Sequence, residues 1–157
     1  MAKAWKIPYL NPRQSLEVCL RKILRTRFNE MISNEQGTIE GKDIEALHDM
    51  RVSSRRVQAV MKVFRAAFPQ KAFKREYARI KTVKDVLGEV RHFDVFIEML
   101  ESLRKKLPEK EARTIELLTA RQKTLRAQKR KFLVGHLNYL NRLGYKESFS
   151  RFITKFL

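Results

Sequence analysis

Glycine and proline are scarce in this chain, five and four among 157 residues. Sandwiches and barrels need a turn every several residues, and turns draw on these two residue types, so an all-β fold is disfavoured. Long stretches rich in Arg, Lys, Leu, Glu and Ala favour helices instead. Ser15 is a plausible N-cap for a first helix running to about Gln36, and Gly37 is placed to end it. Leu16, Leu20, Ile23, Leu24, Phe28 and Met31 recur at three- and four-residue spacing, which makes one apolar face. Asp43 opens a second helix that Pro69 stops after Phe68. A third is expected over 70–87, with Phe73, Tyr77, Ile80, Val83 and Leu87 inward. Gly88 marks a break or a close helix contact, and a fourth helix follows over 89–107. The fifth spans 109–142 with Leu118, Leu125 and Phe132 in a heptad row, and a short last helix covers 146–156. The residues before Pro12 read as an irregular arm. Short connections force neighbouring helices antiparallel, so the fold expected is all-α: one antiparallel helical bundle of five to six helices, a single domain over 1–157.

Hydrophobic residues make up 43% of the chain, enough to bury a core. No apolar run approaches the roughly 18–20 residues that cross a bilayer, so no membrane role is expected. Residues Met1 to Leu10 hold no continuous apolar stretch of the kind a secretory signal needs. A lone cysteine, Cys19, leaves no internal disulfide and no multi-cysteine metal site; it is expected on the first helix's apolar face. A cytoplasmic location fits these features.

Charge is the second strong signal. Thirty-five Lys and Arg stand against 17 Asp and Glu, a formal net charge of +18. Between Leu117 and Lys146 there are eight basic residues and no acidic one. Self-repulsion of this size costs the compact state stability, and a bound polyanion relieves it.

The second helix concentrates that charge. At about 100° per residue, Arg51, Arg55, Gln58 and Lys62 fall within an arc of roughly 80°. Val57, Val60, Met61 and Phe64 lie nearly opposite. His48 heads the stripe and Arg56 flanks it. No Asp or Glu lies in the arc, so the cations repel one another without relief from within the helix. The arginine fork donates paired hydrogen bonds to phosphate oxygens and stays charged at any working pH. By itself the stripe could also be an ordinary solvated helix face. Arg126 and Lys129, equally basic but on the long helix, are expected to matter less.

Signatures of chemistry are lacking. His92 and His136 show no metal-ligand spacing with His48. Asp43, Glu45 and Asp49 are too dispersed for a divalent-metal phosphotransfer centre. Gly37 and Gly41 lack the Lys-Ser/Thr pair of a phosphate loop. No nucleophile–base arrangement can be proposed from spacing, so neither an enzyme nor a cofactor is expected.

The segment His48-Asp-Met-Arg51-Val-Ser-Ser-Arg55-Arg56-Val resembles the signature of the CHAD family, the conserved histidine α-helical domain. A second element, Leu87-Gly88-Glu-Val-Arg91-His92-Phe93-Asp94-Val95, is similar to the family's Leu-Gly, Arg-Asp and Asp-Val pattern, with His92 where the family has Asp. The resemblance covers roughly Leu16 to Leu107. It implies a helical domain that binds inorganic polyphosphate in a basic channel, with no catalysis of its own. His48, Arg51, Arg55 and Arg56 would then contact the chain, with Arg91 as a further candidate. Lys62 joins them from its place on the stripe, and Lys84 from the turn before Gly88. The family domain is about twice this long, with two pseudo-symmetric halves. His136 is followed by no matching Arg, so this chain looks like the N-terminal half, able to pair with itself as a homodimer.

The expected partner is therefore inorganic polyphosphate, with an association with polyphosphate granules. Nucleic acid is the alternative polyanion, and a helical adaptor for a protein partner is a third reading. The aromatic residues occupy apolar helical positions, where a core role is favoured over base stacking.

Overall fold

The computed structural model describes residues 3–156. Met1 and Ala2 of the expected arm, and Leu157, lie outside the described residues. Six α-helices follow one another: α1 (Leu16–Ser33), α2 (Glu35–Glu40), α3 (Ile44–Val63), α4 (Gln70–Arg104), α5 (Glu109–Arg142) and α6 (Tyr145–Phe156). A 3₁₀ turn, Arg65–Ala67, joins α3 to α4. The described chain is all-α.

The caps act as their chemistry dictates. Ser15 Oγ accepts from the Val18 amide at the start of α1, and an Asp43 carboxylate oxygen accepts from the Glu45 amide at the start of α3. Each satisfies one of the donors a helix start leaves open.

The second helix, expected to run to Phe68, ends at Val63, where the chain tightens into the 3₁₀ turn before Pro69; three further expectations about the elements need correction. The first helix stops at Ser33, and α2 carries the chain through Gly37 to Gly41. It is Gly41, at φ 68°, that forms the left-handed C-cap. A glycine suits this position because L side chains resist positive φ. Arg130 of α5 donates to the Thr38 and Ile39 carbonyls at 2.8 and 2.7 Å, so α2 is also anchored from across the bundle. Second, the two helices expected around Gly88 are one. α4 runs 35 residues without interruption, because a single glycine costs a helix only about 1 kcal/mol and packing on both sides offsets it. Gly88 is instead a close contact: a Cβ there would meet Arg51 Nε at 3.6 Å.

Third, the heptad row of α5 faces outward. Leu118 is 37% and Phe132 63% exposed, whereas Leu133, Leu137 and Leu140 are buried. Burial of those leucines sets the rotation of α5, and a ladder of ion pairs to α4 runs along the seam. Arg104 pairs with Glu116, Glu101 with Lys123, Asp94 with Arg126 and Glu89 with Lys129. As one number rises the other falls, which also shows the two helices to be antiparallel. Helices α3 and α4 run antiparallel in the same way, with Gln58 donating to the Tyr77 hydroxyl and Arg51 beside Gly88.

The core is continuous. Leu20, Leu24, Phe28 and Met31 of α1 meet Met50, Val57 and Met61 of α3 and Ile80, Val83 and Leu87 of α4. Each such side chain, fully buried, contributes about 1.5–3 kcal/mol. Helix α6 closes one end with aromatic contacts. Phe28 stacks on Phe149 at 4.2 Å between centroids, and Phe68 on Phe152 at 4.9 Å. Cys19, expected on the apolar face, is half-buried on α1, its Sγ near the Asn11 carbonyl.

Candidate functional site

The apolar half of α3 decides where its cations point. Val57 and Met61 are fully buried, and Val60 and Phe64 pack against the core. The opposite arc, Arg51, Arg55 and Lys62, is thereby turned toward α4. Two adjoining clefts follow the seam between these helices. Arg51, Arg55, Lys84, Asp85, Gly88, Glu89, His92, Phe93 and, from α5, Lys129 line a cleft of about 600 Å³. Arg55, Arg56, Gln58, Lys62, Tyr77 and Lys84 line the next, of about 700 Å³. Arg55 and Lys84 belong to both, so the two form one groove along the α3–α4 seam.

The pairing of the cations matters as much as their position. Lys84 is bound to Asp85 at 2.6 Å, and Lys129 to Glu89 at 2.7 Å. Arg56 reaches back to α1, where Nη1 donates to Glu30 Oε1 at 2.5 Å. Glu30 is buried and also accepts from Arg27 at 2.8 Å, so a single carboxylate ties two arginines. By contrast, Arg51, Arg55 and Lys62 make no ion pair among the described residues. Three cations without a carboxylate partner thus share one concave face. The Lys81 and Lys84 ammonium groups hold the Asp85 carboxyl below its usual range, Lys81 more strongly. Asp85 therefore remains ionised, a negative point at the groove's edge.

The structure brings together Arg51, Arg55, Arg56, Lys62 and Lys84 of the residues expected at the site. His48 is half-buried on α3 and lines neither cleft; its Nδ1 is buried without a hydrogen-bond partner among the described residues. Arg91 sits in a different cleft, on the α4–α5 flank, with Glu45, Asp94, Glu98, Glu101, Lys123 and Arg126. It faces the first turn of α3, at Ile44 and Glu45, and α5, beyond the end of the groove. Lys129, expected to matter less than Arg51 and Arg55, lines the groove, and Arg126 pairs with the buried Asp94. Tyr77, His92 and Lys129 were missed as lining residues. His92 carried a signal, standing beside Arg91 in the second motif. Lys129 carried none, since only the packing of α5 on α4 delivers it.

An arrangement of guanidinium and ammonium groups along one groove can bind and orient anions. No group of three His, Cys, Asp or Glu side chains comes close enough to hold a metal ion among the described residues. No helix among them is long and apolar enough to cross a membrane.

The family model described as CHAD domain matches residues 22–154, well past the segment that carries the sequence motifs. No curated protein and no solved structure matches the chain.

Proposed function

This chain belongs to the CHAD domain family, and on that premise we propose that it binds inorganic polyphosphate in the α3–α4 groove, without catalysis. The family is one associated with polyphosphate binding. The observation that carries the reading is the trio Arg51, Arg55 and Lys62, unpaired along one groove with Lys84 between them. Phosphates repeat along a polyphosphate chain, and a row of cations meets such a ligand better than a single strong site would. Arg56 contributes from the edge, held by Glu30. A granule rich in polyphosphate is the setting in which such a protein would be found.

The test is a titration with polyphosphate against duplex DNA, across a range of salt. Each neutralised phosphate releases condensed counterions, so log affinity should fall with log salt by about 0.7 per contacted phosphate, as for a single strand. Polyphosphate should displace DNA. Tighter binding of DNA, or an affinity indifferent to salt, counts against the proposal. Release of free phosphate during the incubation would contradict the absence of catalysis.

A half-domain has one basic stripe where a channel needs two, and a homodimer supplies the second. An apolar row lies beside the groove on the same face. On α4, Val95 and Met99 continue the line of Gly88 and His92 at steps of three and four residues. On α5, Leu125 and Phe132 flank Lys129 in the same way. Val95, Met99 and Phe132 are all half or more exposed. Two copies joined through this face about a two-fold axis would set groove against groove. Net charge of +18 on each copy opposes that association, and polyphosphate between them offsets it. Sedimentation should therefore give a weak dimer that tightens with polyphosphate; a monomer in both conditions, still binding tightly, defeats the pairing.

A further inference from the structure

A second cationic cleft, of about 610 Å³, lies between the start of α4 and α6. Its cations are Lys71, Arg75, Arg79, Arg151 and Lys155, over a floor that includes Phe152. The polyphosphate groove does not reach it. Arg75 lies nine residues before Lys84 and two before Tyr77, so at 3.6 residues per turn it stands roughly half a turn around α4 from both.

The cleft is built around a buried carboxylate. Glu76 is fully buried, and its Oε1 accepts from Arg75 Nε at 2.8 Å, from Arg79 Nη1 at 3.2 Å and from Ser148 Oγ of α6 at 3.1 Å. Arg79 also donates to Ser148 Oγ at 3.0 Å. Two guanidinium groups are thereby locked in place between α4 and α6, which lowers the entropy lost when an anion binds them. One carboxylate cannot balance five cations. Lys71, Arg151 and Lys155 make no ion pair among the described residues, although Lys155 lies over the Phe156 ring at 5.5 Å.

We infer that this cleft is a second, independent anion site that takes a short oligophosphate or the end of a polyphosphate chain. A terminal phosphate carries more charge than an internal one, and a compact cluster of cations suits it as an extended row suits the middle of a chain. With the groove on the other side of α4, each protein would then hold phosphate chains at two places, and long chains would link one protein to the next.

The probe is tripolyphosphate, followed by calorimetric titration at moderate salt. The wild-type chain should bind two equivalents. The variant Lys71→Ala/Arg151→Ala/Lys155→Ala removes cations that hold no carboxylate and leaves the Glu76 network intact, so it should fold as the parent does. It should lose one equivalent, or weaken it tenfold or more, while the other persists. Arg51→Ala/Arg55→Ala should remove the other equivalent and leave this one. The control Lys105→Ala/Lys106→Ala/Lys110→Ala, at the α4–α5 turn, removes the same charge and should change each affinity less than threefold. Binding that the first variant leaves unchanged, or equal losses from the first variant and the control, overturns the inference. Because each double or triple variant reports on one cleft, failure here leaves the groove's own result readable.

Discussion

Two clefts flank the middle of α4, and both are rich in cations. In the α3–α4 groove, Arg51, Arg55 and Lys62 have no carboxylate partner among the described residues. On the α4–α5 flank, Arg91, Lys123 and Arg126 sit among Glu45, Asp94, Glu98 and Glu101. There Arg126 is bound to Asp94, which is buried, and Lys123 to Glu101 at 2.7 Å. The groove is the richer in basic residues, but the number alone does not say which of them a ligand can use. What separates them is how much of the cationic charge the protein's own carboxylates already face: the flank sets four carboxylates against three cations, and the groove leaves Arg51, Arg55 and Lys62 without an ion pair among the described residues. Paired cations hold helices in register, whereas unpaired ones remain free to attract a ligand. Adjacent residues show the same division, since Arg55 is exposed to the groove while Arg56 is tied to Glu30.

The sharpest way to break this comparison is to truncate the unpaired arginines. Arg51→Ala and Arg55→Ala should each cost polyphosphate binding about 1.5–3 kcal/mol, the range for a hydrogen bond to a charged group. Together they should weaken affinity by about a hundredfold or more. Circular dichroism should remain unchanged, because these side chains lie opposite the buried row. Losses no larger than those from two random lysines would reduce the groove to diffuse attraction.

The next effect is on stability. Asp94→Ala removes the buried partner of Arg126 and should lower the free energy of urea unfolding by about 1–3 kcal/mol. Polyphosphate affinity, measured well below the midpoint, should stay put. A change in affinity as large as that of the arginine variants would erase the distinction between the two clefts.

A smaller effect should have the opposite sign. Asp85→Asn withdraws a carboxylate from the groove and releases Lys84, as Glu89→Gln releases Lys129. Each should tighten binding by about 0.3–1 kcal/mol, the scale of exposed ion pairs. The gain of Asp85→Asn over the wild type should persist from pH 7 to 5, because Asp85 is held below its ordinary value of 3.8. The pair's contribution to folding has the matching sign. It is complete above that ordinary value and lost as pH falls through the lowered one. Tightening of the wild type between pH 7 and 5 that is absent from Asp85→Asn would show Asp85 to be protonated in that range.

The smallest change belongs to the flank. Arg91→Ala with Lys123→Ala should alter polyphosphate affinity by about twofold or less, since screening weakens the pull of cations outside the groove. A tenfold loss would place the ligand on both sides of α4.

Much of this architecture is legible in the sequence because it depends on local rules. Ser15 and Asp43 cap helices whose first residues they can reach. Met61 and Val57 bury one side of α3, and the spacing of Arg51, Arg55 and Lys62 then follows from the helical repeat alone. Tertiary structure decided the rest. Gly88 reads equally as a break or a helix contact until α3 is seen packed beside it. Leu118, Leu125 and Phe132 form a periodic row, yet periodicity marks a face without saying which neighbour covers it. Burial of Leu133, Leu137 and Leu140 settled that rotation, and it brought Lys129 into the groove. Pairing is likewise hidden from the sequence, since Arg56 and Glu30 lie on different helices. A helix dictates the direction of its own side chains, but the charge a side chain can still offer depends on what another helix has brought against it.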